Sequence, residues 1–510
     1  MDLPRSVGVH SNAVGGTASR LPTQPMTSAW WRLAAGAVVL LAFLLRMVNL
    51  GGQSLWYDEA FSLLMARYGP LEIVQRTALD TMPPLYYWLL HIWGTGPPAD
   101  FYPRFISVLA GTLSIALVYA VARMLFDART GAVAALFTAV APFHVFYSQE
   151  VRMYTLLGVW TLLATLGFLL GWHRGDKKGW PLFALGTALA LYTHALGGLP
   201  SLSLLVWAAL QSWRRPKRLA PPLLALGGAF ILYLPWSTVL AVQTRQVFSS
   251  FWTGPPSVVS PLASLYLFYE GPFAGNALFP WALAALLSAL GLTLPPLLRT
   301  RGSAANGLGL LWAWALFPLL ALLALSLFRP IYLERVVIGA AFPVYILLAW
   351  ATLSLRPPWW GKALGGLVLA LGLWSLLNWY GQPAFGKPPL QEAARVVQRA
   401  WQPGEPVLHT SDGSMLPFLL YAPDVPNRLL LGDPEYYDRT ARARSTYEAL
   451  AVEPVTQEVA LEGARRFFLV IALDHSVEYQ LAAAEQLDGA YQRLDEVDVG
   501  GIKVRTYQRR

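Results

Sequence analysis

The sequence predicts an α-helical protein that crosses a membrane about eleven times and ends in a small α/β domain. Of its 510 residues, 55% are hydrophobic and only 13% are charged, whereas a soluble domain is about 25% charged. The hydrophobic residues form runs of roughly twenty, the length that a helix needs to cross a bilayer. The 21 Trp and 22 Tyr residues concentrate near the ends of these runs, as an interfacial belt requires.

Composition also narrows the classes of function. The chain has no cysteine, which excludes disulfides, thiolate metal sites and cysteine nucleophiles. The net charge of +9 is typical of basic cytoplasmic loops in a membrane protein. We therefore expect a lipid bilayer, and no nucleic acid, among its partners.

The chain begins with a polar segment and continues with the membrane spans. Residues 1–29 are rich in Ser, Thr, Pro and Gly, which predicts a disordered cytoplasmic tail. The run 30–50 predicts an uncleaved first helix, because no cleavage site clearly follows it. Further spans are predicted near residues 103–126, 132–147, 154–172, 180–195, 199–213, 219–239, 276–298, 307–328, 336–355 and 363–380. Together these runs predict a transmembrane domain over residues 30–384.

Basic residues predict the orientation of these spans. They concentrate in alternate loops, most densely in Arg214–Arg218, which places the N-terminus in the cytoplasm of a multi-pass cell-membrane protein. The long segments 49–102 and 240–275 then lie outside. In the first, Ala60–Tyr68 and Leu71–Leu79 predict short helices at the membrane interface. The second is predicted to act as a mobile lid.

After residue 384 the composition becomes that of a soluble protein. Alternating helix and strand patterns predict an extracytoplasmic α/β domain over 385–510, with a strongly apolar strand at Arg466–Leu473 and a terminal hairpin of 491–499 with 502–507. The domain shows no glycine-rich phosphate loop and no metal cluster, so its expected role is structural or in binding the acceptor.

Two adjacent carboxylates, Asp58 and Glu59, directly follow the first predicted span. Ionisable groups at a membrane boundary are costly, which makes both residues functional candidates. The alternative is that they cap a helix in a solvated loop, since Asp and Glu favour helix starts.

Three motifs occur in order along the outer side. They are Leu-Trp-Tyr-Asp-Glu-Ala at 55–60, Pro-Pro-Leu-Tyr-Tyr-Trp at 83–88, and His-Val-Phe-Tyr-Ser-Gln-Glu-Val-Arg-Met-Tyr at 144–154. Over roughly residues 30–380 the chain resembles the GT-C glycosyltransferases, in the branch that holds the protein O-mannosyltransferases and the lipid A aminoarabinose transferase. The resemblance implies an integral membrane enzyme that moves a sugar from a polyprenyl-phosphate donor to a hydroxyl acceptor on a protein, a lipid or an envelope glycan.

The resemblance also assigns catalytic roles. It implies that Asp58 is the general base, that Glu59 tunes it or supports the structure, and that Glu150 assists the acceptor or the phosphate. Some members act through a metal at the position of Glu150, so a divalent cation stays open here. No spacing of His or carboxylate residues in this sequence is typical of a metal site.

Substrate binding is expected to involve arginines, because the guanidinium fork binds phosphate with two hydrogen bonds. Arg335 matches a late outer motif of the family and is the first candidate for the donor phosphate. Arg104 is the weaker candidate. Arg152 either contacts substrate or pairs with Glu150 or Asp58.

Several residues of other types complete the predicted site. Tyr86 and Tyr147 lie within the motifs and are predicted substrate contacts. His194 belongs to a Tyr-Thr-His element that resembles one in this branch and is predicted to contact substrate or metal. His144 and His91 are weaker candidates of the same kind. Each histidine has the alternative of an ordinary buried polar contact.

Two other classes of function stay open at this point. A transporter or flippase for lipid-linked glycans predicts acids in the middle of helices and paired broken helices. A membrane anchor for a glycan-binding C-terminal domain predicts a polar cluster in 385–510. The acids cluster instead in outer loops and no internal repeat is evident, which favours the glycosyltransferase.

Overall fold

The computed structural model describes residues 29–96, 100–249, 253–299, 302–431, 441–474 and 477–510. The predicted disordered tail at 1–29 therefore lies, apart from its last residue, outside the described residues. In the described part of the chain up to residue 381, the α-helices are α1 (Ala29–Met47), α2 (Tyr57–Ala66), α3 (Pro70–Leu79), α4 (Leu85–Trp93), α5 (Phe105–Leu125), α6 (Ala128–Val140), α7 (Pro142–Ser148), α8 (Tyr154–Arg174), α9 (Gly179–Thr193), α10 (Leu199–Ser212), α11 (Ala220–Ser249), α12 (Ser260–Glu270), α13 (Phe279–Gly291), α14 (Leu294–Arg299), α15 (Ser303–Ser326), α16 (Ala341–Ser354) and α17 (Pro358–Gly381).

The helices confirm a multi-pass membrane protein. Within the described residues, seven are long and apolar enough to cross a membrane, or eight if the bent pair α6 and α7 forms one span. The other three predicted spans coincide with α1, α9 and α10, of which α9 and α10 have only 15 and 14 residues. Within the described residues, length and composition alone thus identify up to eight of the eleven predicted spans.

The span predicted over 132–147 is not a continuous helix. α6 ends at Val140, and α7 leaves it at an angle of 62° from Pro142 onward. Proline has no N–H to continue the hydrogen-bond ladder and disfavours a helical conformation in the residue before it. Ala141 accordingly adopts an extended conformation, with φ −64° and ψ 114°.

A buried arginine from α1 fills this break. In a continuous helix the carbonyl of Thr138 would accept from residue 142, where proline lacks the donor. Arg46 replaces it, since its Nη2 lies 3.4 Å from that oxygen and its Nη1 lies 3.1 Å from the carbonyl of Ala139. The same Nη2 is 2.7 Å from His144 Nδ1. Arginine cannot accept, so His144 Nδ1 is the acceptor and its ring is neutral, with the proton on Nε2.

The long segment 240–275, predicted to lie outside, is more ordered than the sequence indicated. α11 continues to Ser249 instead of ending near residue 239, and α12 follows it, so most of the predicted lid is helical. Gln243 Nε2 donates to the carbonyls of Thr77 (2.9 Å) and Asp80 (2.8 Å), which fixes the end of α11 against the turn after α3. Polar residues indicated a loop here, but Gln and Arg are good helix formers.

The two short helices predicted for the first outer segment are both present, but they differ in environment. Eight of the ten residues of α2 are buried, which makes it a core helix and not an interfacial one. In α3, by contrast, only Ile73 and Thr77 are buried. The difference places the two carboxylates of α2 inside the protein.

The C-terminal residues form the predicted α/β domain. Its described elements are α18 (Leu390–Ala400), β1 (Val407–His409), α19 (Asp412–Tyr421), β2 (Asn427–Leu429), α20 (Ala441–Leu450), α21 (Gln457–Ala460), β3 (Arg466–Ile471), α22 (Val477–Ala490), β4 (Gln492–Val499) and β5 (Ile502–Gln508). The sheet has the order β2-β1-β3-β5-β4, in which β1 is parallel to β2 and β3, and β5 is antiparallel to both its neighbours. The apolar strand β3 is central and β4–β5 is the predicted hairpin. Helix α20 was not predicted.

This domain packs against the first outer segment. The hydroxyl of Tyr421 in α19 accepts from the backbone N–H of Leu55 at 2.6 Å and donates to Asp100. Arg76 of α3 donates to the carbonyl of Ala449 at the end of α20, at 2.9 Å. The domain therefore holds the loop that precedes α2 as well as α3.

Replacing Arg46 with methionine tests the role of the buried cation. The variant keeps much of the volume but leaves several buried acceptors without a donor, which we expect to lower the free energy of unfolding by roughly 2–4 kcal/mol. Thermal unfolding of the purified protein in detergent measures the change. Arg123→Met, at an exposed position near the end of α5, is the control. Equal melting temperatures for the two variants would contradict the role given to Arg46.

Candidate active site

Glu59, in the first turn of α2, accepts hydrogen bonds on both of its carboxylate oxygens. Glu59 is fully buried. Its Oε1 accepts from Arg104 Nε (2.8 Å) and from the backbone N–H of Val151 (2.9 Å). Its Oε2 accepts from Arg104 Nη2 and Lys387 Nζ, both at 2.8 Å. Glu59 thus joins α2, α5, the loop before α8 and the segment that leads into the C-terminal domain.

Two cations keep Glu59 ionised in this buried position. Burial opposes the charge, but the attraction of Arg104 and Lys387 outweighs it and lowers the pKa of Glu59 to about 2. Arg104, the weaker phosphate candidate, is itself buried and also donates to the carbonyls of Leu50 (2.9 Å) and Gln53 (2.8 Å). These hydrogen bonds hold the turn between α1 and α2. The contacts of Arg104 are therefore structural, and it is not placed to bind the donor phosphate.

Lys387 is shared with a second buried carboxylate. Its Nζ lies 3.4 Å from Glu150 Oε1, and Glu150 is only 1% exposed. Burial raises the pKa of Glu150; Lys387 opposes that rise, and the charges of Glu59 and Asp58 add to it. Lys387, which lies 237 residues further along the chain, and Arg335 thus both favour the ionised form of the buried Glu150.

Gln149 fixes the loop that carries Glu150. Its Nε2 donates to the carbonyls of Arg46 (3.0 Å) and Val48 (2.7 Å) at the end of α1. Its Oε1 accepts from Trp379 Nε1 of α17 at 2.8 Å. The third sequence motif is thereby tied to both the first and the last helix of the transmembrane part.

Asp58, the residue before Glu59, has a different environment. It is 9% exposed and faces two guanidinium groups. Arg152 Nε lies 3.9 Å and Arg335 Nη2 lies 3.8 Å from Asp58 Oδ2. These separations are those of ion pairs and exceed hydrogen-bond length. Arg152 is held in place through its Nη1, which lies 3.2 Å from the carbonyl of Asp58 and 3.3 Å from the Ser62 hydroxyl. Of the two partners predicted for Arg152, the structure selects Asp58.

An aromatic ring contacts both arginines. The guanidinium carbon of Arg152 lies 5.7 Å and that of Arg335 lies 5.9 Å from the centroid of the Tyr154 ring. A cation over an aromatic face is attracted to it, which offsets part of the repulsion between the two like charges. Tyr154 closes the third motif, and sequence analysis did not single it out.

A large cavity opens from these charged groups into apolar surroundings. It has a volume of about 1140 Å³. Its polar end is formed by Asp58, Arg152, Arg335 and His194. Its other walls come mainly from apolar side chains: Leu196, Leu240, Val247, Phe248, Leu325, Ile331, Leu333 and Val336. An apolar cavity that ends at two cations fits a lipid with an anionic head group.

A smaller pocket lies on another side of the same carboxylate. It has a volume of about 270 Å³, and Asp58 and Arg152 line it as well as the large cavity. Asp80, Tyr87 and Thr446 are among its other lining residues. Thr446 belongs to α20 of the C-terminal domain. Asp58 therefore stands where an apolar and a polar compartment meet.

The remaining predicted site residues occupy different places. His194 is 4% exposed and lines the large cavity; its Nδ1 accepts from the backbone N–H of Leu196 at 3.1 Å, while its buried Nε2 has no hydrogen-bond partner among the described residues. Tyr147 contacts the ring of Tyr154 edge-on, at 5.0 Å between centroids, directly behind the arginines. Tyr86 is buried in the core and lines neither cavity, whereas its neighbour Tyr87 lines the small pocket.

The two weaker histidine candidates serve local contacts. His144 accepts from Arg46, as described above. His91 Nδ1 lies 2.9 Å from the carbonyl of Ala66, at the end of α2. Neither side chain lines the cavities beside Asp58.

The donor set around Asp58 does not fit a divalent cation. Within the described residues, no group of three or more His, Asp or Glu side chains is placed to hold a metal ion. Asp58 faces the guanidinium groups of Arg152 and Arg335 at 3.9 and 3.8 Å, and these two positive charges oppose the binding of a further cation there. The charge that a metal would supply is already present as guanidinium.

Comparisons with known proteins agree with this architecture. Residues 81–240 match the family model described as dolichyl-phosphate-mannose-protein mannosyltransferase. The structure of ArnT from Cupriavidus metallidurans bound to undecaprenyl phosphate is similar with a TM-score of 0.65 and 14% identity, over 94% of this chain and 98% of that chain. The apo state of the same protein gives 0.63 and 13%, with the same coverage. No curated protein sequence matches the chain.

A second relative in fold is more distant. The oligosaccharyltransferase of Archaeoglobus fulgidus in its apo form has a TM-score of 0.52 and 12% identity, over 95% of this chain and 75% of that chain. At such identities the likeness concerns the fold. The fold class that the three motifs predicted is confirmed.

The ionised state of Glu59 predicts an acid-dependent contribution to stability. Its folded pKa of about 2 lies below the ordinary value of 4.5, so its contribution is complete above about pH 4.5 and is lost as the pH falls towards 2. We expect Glu59→Gln to lower the free energy of unfolding at pH 7 by roughly 3 kcal/mol, because two buried cations lose their counter-ion.

Thermal unfolding in detergent at pH 7, 4.5 and 3 measures this effect. The difference between wild type and Glu59→Gln should shrink between pH 4.5 and pH 3. Glu72→Gln, which removes a 53% exposed partner of Arg76, should change little at any pH. A difference that stays constant down to pH 3 would mean that Glu59 is not held ionised by its two cations.

Proposed function

We propose that this chain, a protein of the GT-C glycosyltransferase fold, transfers a sugar from a polyprenyl-phosphate donor to an acceptor hydroxyl, with Asp58 as the general base. The observation that carries the proposal is the position of Asp58 between an apolar cavity with two cations at its end and a polar pocket. The acceptor class is a hydroxyl on a protein, a lipid or an envelope glycan.

The large cavity suits the donor. A polyprenyl chain needs apolar walls, and its phosphate needs cations at their end. Arg335 is 20% exposed at that end, and Arg152 is held beside it by Ser62 and the carbonyl of Asp58. ArnT from Cupriavidus metallidurans, which shares the fold, binds undecaprenyl phosphate, and this supports the assignment. His194, which lines the same cavity and has a buried Nε2 without a hydrogen-bond partner among the described residues, is a further proposed donor contact.

The proposed reaction is a single displacement with inversion at the anomeric carbon. Asp58 accepts the proton of the acceptor hydroxyl as its oxygen forms the bond to that carbon. The bond from the anomeric carbon to the phosphate oxygen breaks, and the electron pair leaves with the phosphate. Arg152 and Arg335 stabilise the negative charge that develops there.

The environments of the three carboxylates favour Asp58 over the others as the base. Both oxygens of Glu59 are occupied by fixed donors, and the residue is fully buried. Glu150 is nearly as buried and lines neither of the cavities beside Asp58. We assign Glu59 a positioning role, as a buried anchor of α2, and Glu150 a role in setting the charge around Lys387. A general base must reach the hydroxyl itself.

The small pocket suits the acceptor. It opens beside Asp58, and its polar lining includes Thr446 from α20 of the C-terminal domain and Asp80 and Thr81 from the turn after α3, next to Phe61 and Met82. An acceptor bound there would present its hydroxyl to the carboxylate from the side away from the lipid. The C-terminal domain would then contribute directly to acceptor binding.

Orientation and domain division follow the sequence evidence. The concentration of basic residues in alternate loops favours an N-terminus in the cytoplasm and Asp58 on the extracytoplasmic side of the cell membrane. We propose a transmembrane catalytic domain over 30–384 and an extracytoplasmic domain over 385–510. The first residues of the C-terminal domain supply Lys387 to Glu59 of the catalytic domain.

Asp58→Asn tests the base. Asparagine keeps the shape and can hydrogen-bond but does not accept the proton, so turnover should fall by about a hundredfold to ten-thousandfold. Donor binding should persist, since the arginines hold the phosphate. Transfer turnover and donor binding are measured side by side in nanodiscs, with Asp176→Asn, in an exposed loop between α8 and α9, as the control. Near-normal turnover in Asp58→Asn would exclude it as the base and leave Glu150 as the best carboxylate.

Arg335→Lys tests the donor site. Lysine keeps the charge but loses the fork, so donor KM should rise by about tenfold to a hundredfold, the effect of losing one charge-assisted hydrogen bond. Acceptor KM should stay near its wild-type value. Arg329→Lys, in the same loop but outside the cavity lining, is the matched control. An unchanged donor KM for Arg335→Lys would move the phosphate site elsewhere.

A further inference from the structure

We propose that a groove far from Asp58 binds an anionic phospholipid. This lipid belongs to the membrane leaflet on the side of the protein opposite to Asp58. The groove lies between α6, α16 and α17 and has a volume of about 920 Å³. It shares no lining residue with the cavities beside Asp58. The proposal does not depend on the reaction proposed above.

Three cations surround this groove. Arg129 stands at the start of α6, Arg356 in the turn between α16 and α17, and Lys362 in the first turns of α17; all three are exposed. The lining residues of the described structure include no carboxylate, and none of the three side chains forms an ion pair with a described residue. A concentration of positive charge of this kind fits an anionic head group.

The interior of the groove is apolar and open. Val133, Leu136 and Phe137 of α6 form one wall. On α17, Gly365 and Gly366 replace the side chains that would otherwise fill the space, and a Cβ built on Gly366 meets no atom within 4 Å. Cations at a mouth and hydrocarbon beyond it match a phospholipid, whereas free phosphate would gain nothing from the apolar walls.

The groove lies at the other end of the transmembrane part from Asp58. α16 follows the 3₁₀ helix Glu334–Ala340, whose second residue is the cavity residue Arg335, and ends at Ser354 beside the groove. Its 14 residues alone rise about 20 Å along the helix axis. A polyprenyl donor whose phosphate lies at Arg335 therefore has its head group on the opposite side of the membrane from this groove.

An aromatic pair marks the membrane interface beside the groove. Trp359 and Trp360 begin α17, are 57% and 54% exposed, and stack with ring centroids 4.2 Å apart. Tryptophan concentrates at the level of lipid head groups. The cations of the groove thus lie at head-group depth, in the face where the basic loops of this chain concentrate. A membrane lipid is therefore the occupant that the surroundings favour over a protein.

Native mass spectrometry of the purified full-length chain in detergent tests the proposal. Phosphatidylglycerol is added in parallel with phosphatidylcholine of the same acyl chains. Wild type should bind phosphatidylglycerol at least about tenfold more tightly, since each nearby cation contributes roughly 1 kcal/mol towards an anionic lipid. The triple variant Arg129→Gln, Arg356→Gln, Lys362→Gln should lose this preference.

Two controls separate the groove from general charge and from folding. Arg174→Gln, Lys177→Gln, Lys178→Gln removes the same charge from an exposed loop and should keep the preference. Gly366→Leu fills the groove without changing its charge and should also weaken lipid binding, whereas Gly227→Leu, at another open glycine on α11, should not.

Five results would overturn the proposal. Equal retention of the two lipids by wild type would contradict the charge argument. So would equal lipid binding by the groove triple variant and the loop triple variant when each melts like wild type. Inorganic phosphate displacing phosphatidylglycerol would show a free-anion site. Polyprenyl phosphate displacing it from wild type but not from Gly366→Leu would show that the groove holds the donor lipid. Retained binding in Gly366→Leu would place the lipid elsewhere.

Discussion

The buried contact of Glu59 with Arg104 and Lys387 is the interaction on which the rest of the site depends. It joins the first outer helix, the start of α5 and the segment entering the C-terminal domain at one point. A buried ion pair adds little stability by itself when compared with apolar packing, but losing one partner leaves a charge without compensation. Glu59 therefore fixes the position of α2, because a shift or rotation of this helix would leave the two buried cations without their counter-ion. The carboxylate beside it is held in a defined position as a consequence.

Sequence patterns predicted the fold class and the residues of the site that belong to local motifs. Runs of apolar residues identified the helices, and Asp58, Arg152, Arg335 and His194 do converge on one cavity. Sequence patterns did not identify Lys387, because it lies in an irregular linker and contacts a residue 328 positions away. The Tyr86–Tyr87 pair shows another limit. Neighbours on a helix point about 100° apart, so a motif alone does not tell which ring faces the pocket.

The break between α6 and α7 shows why apolar runs overestimated helix continuity. Hydropathy reports whether a segment tolerates lipid, but a proline interrupts the backbone ladder whatever the hydropathy. Inside a membrane the freed carbonyls need another donor, because lipid supplies none. Arg46 provides it from a different helix, which a reading of one segment at a time does not reveal. The bend also matters for the site, because α7 and the loop that follows it reach the first turn of α2, where Val151 donates to Glu59.

The charges around Asp58 balance throughout the proposed reaction. Before transfer, two guanidinium groups face one carboxylate and one phosphodiester, whose negative charges together equal theirs. After transfer, Asp58 holds the proton and is neutral, while the leaving phosphate monoester carries up to two negative charges. The total negative charge is the same before and after transfer. It moves from the carboxylate to the phosphate but stays close to Arg152 and Arg335. Fixed cations that serve both states need no rearrangement during the step, which is the condition under which preorganised charge is most effective. Asp58 lies at ion-pair distance from both arginines, 3.9 Å from Arg152 and 3.8 Å from Arg335, so the proposed step would begin with the base already within reach of the cations that stabilise the leaving phosphate.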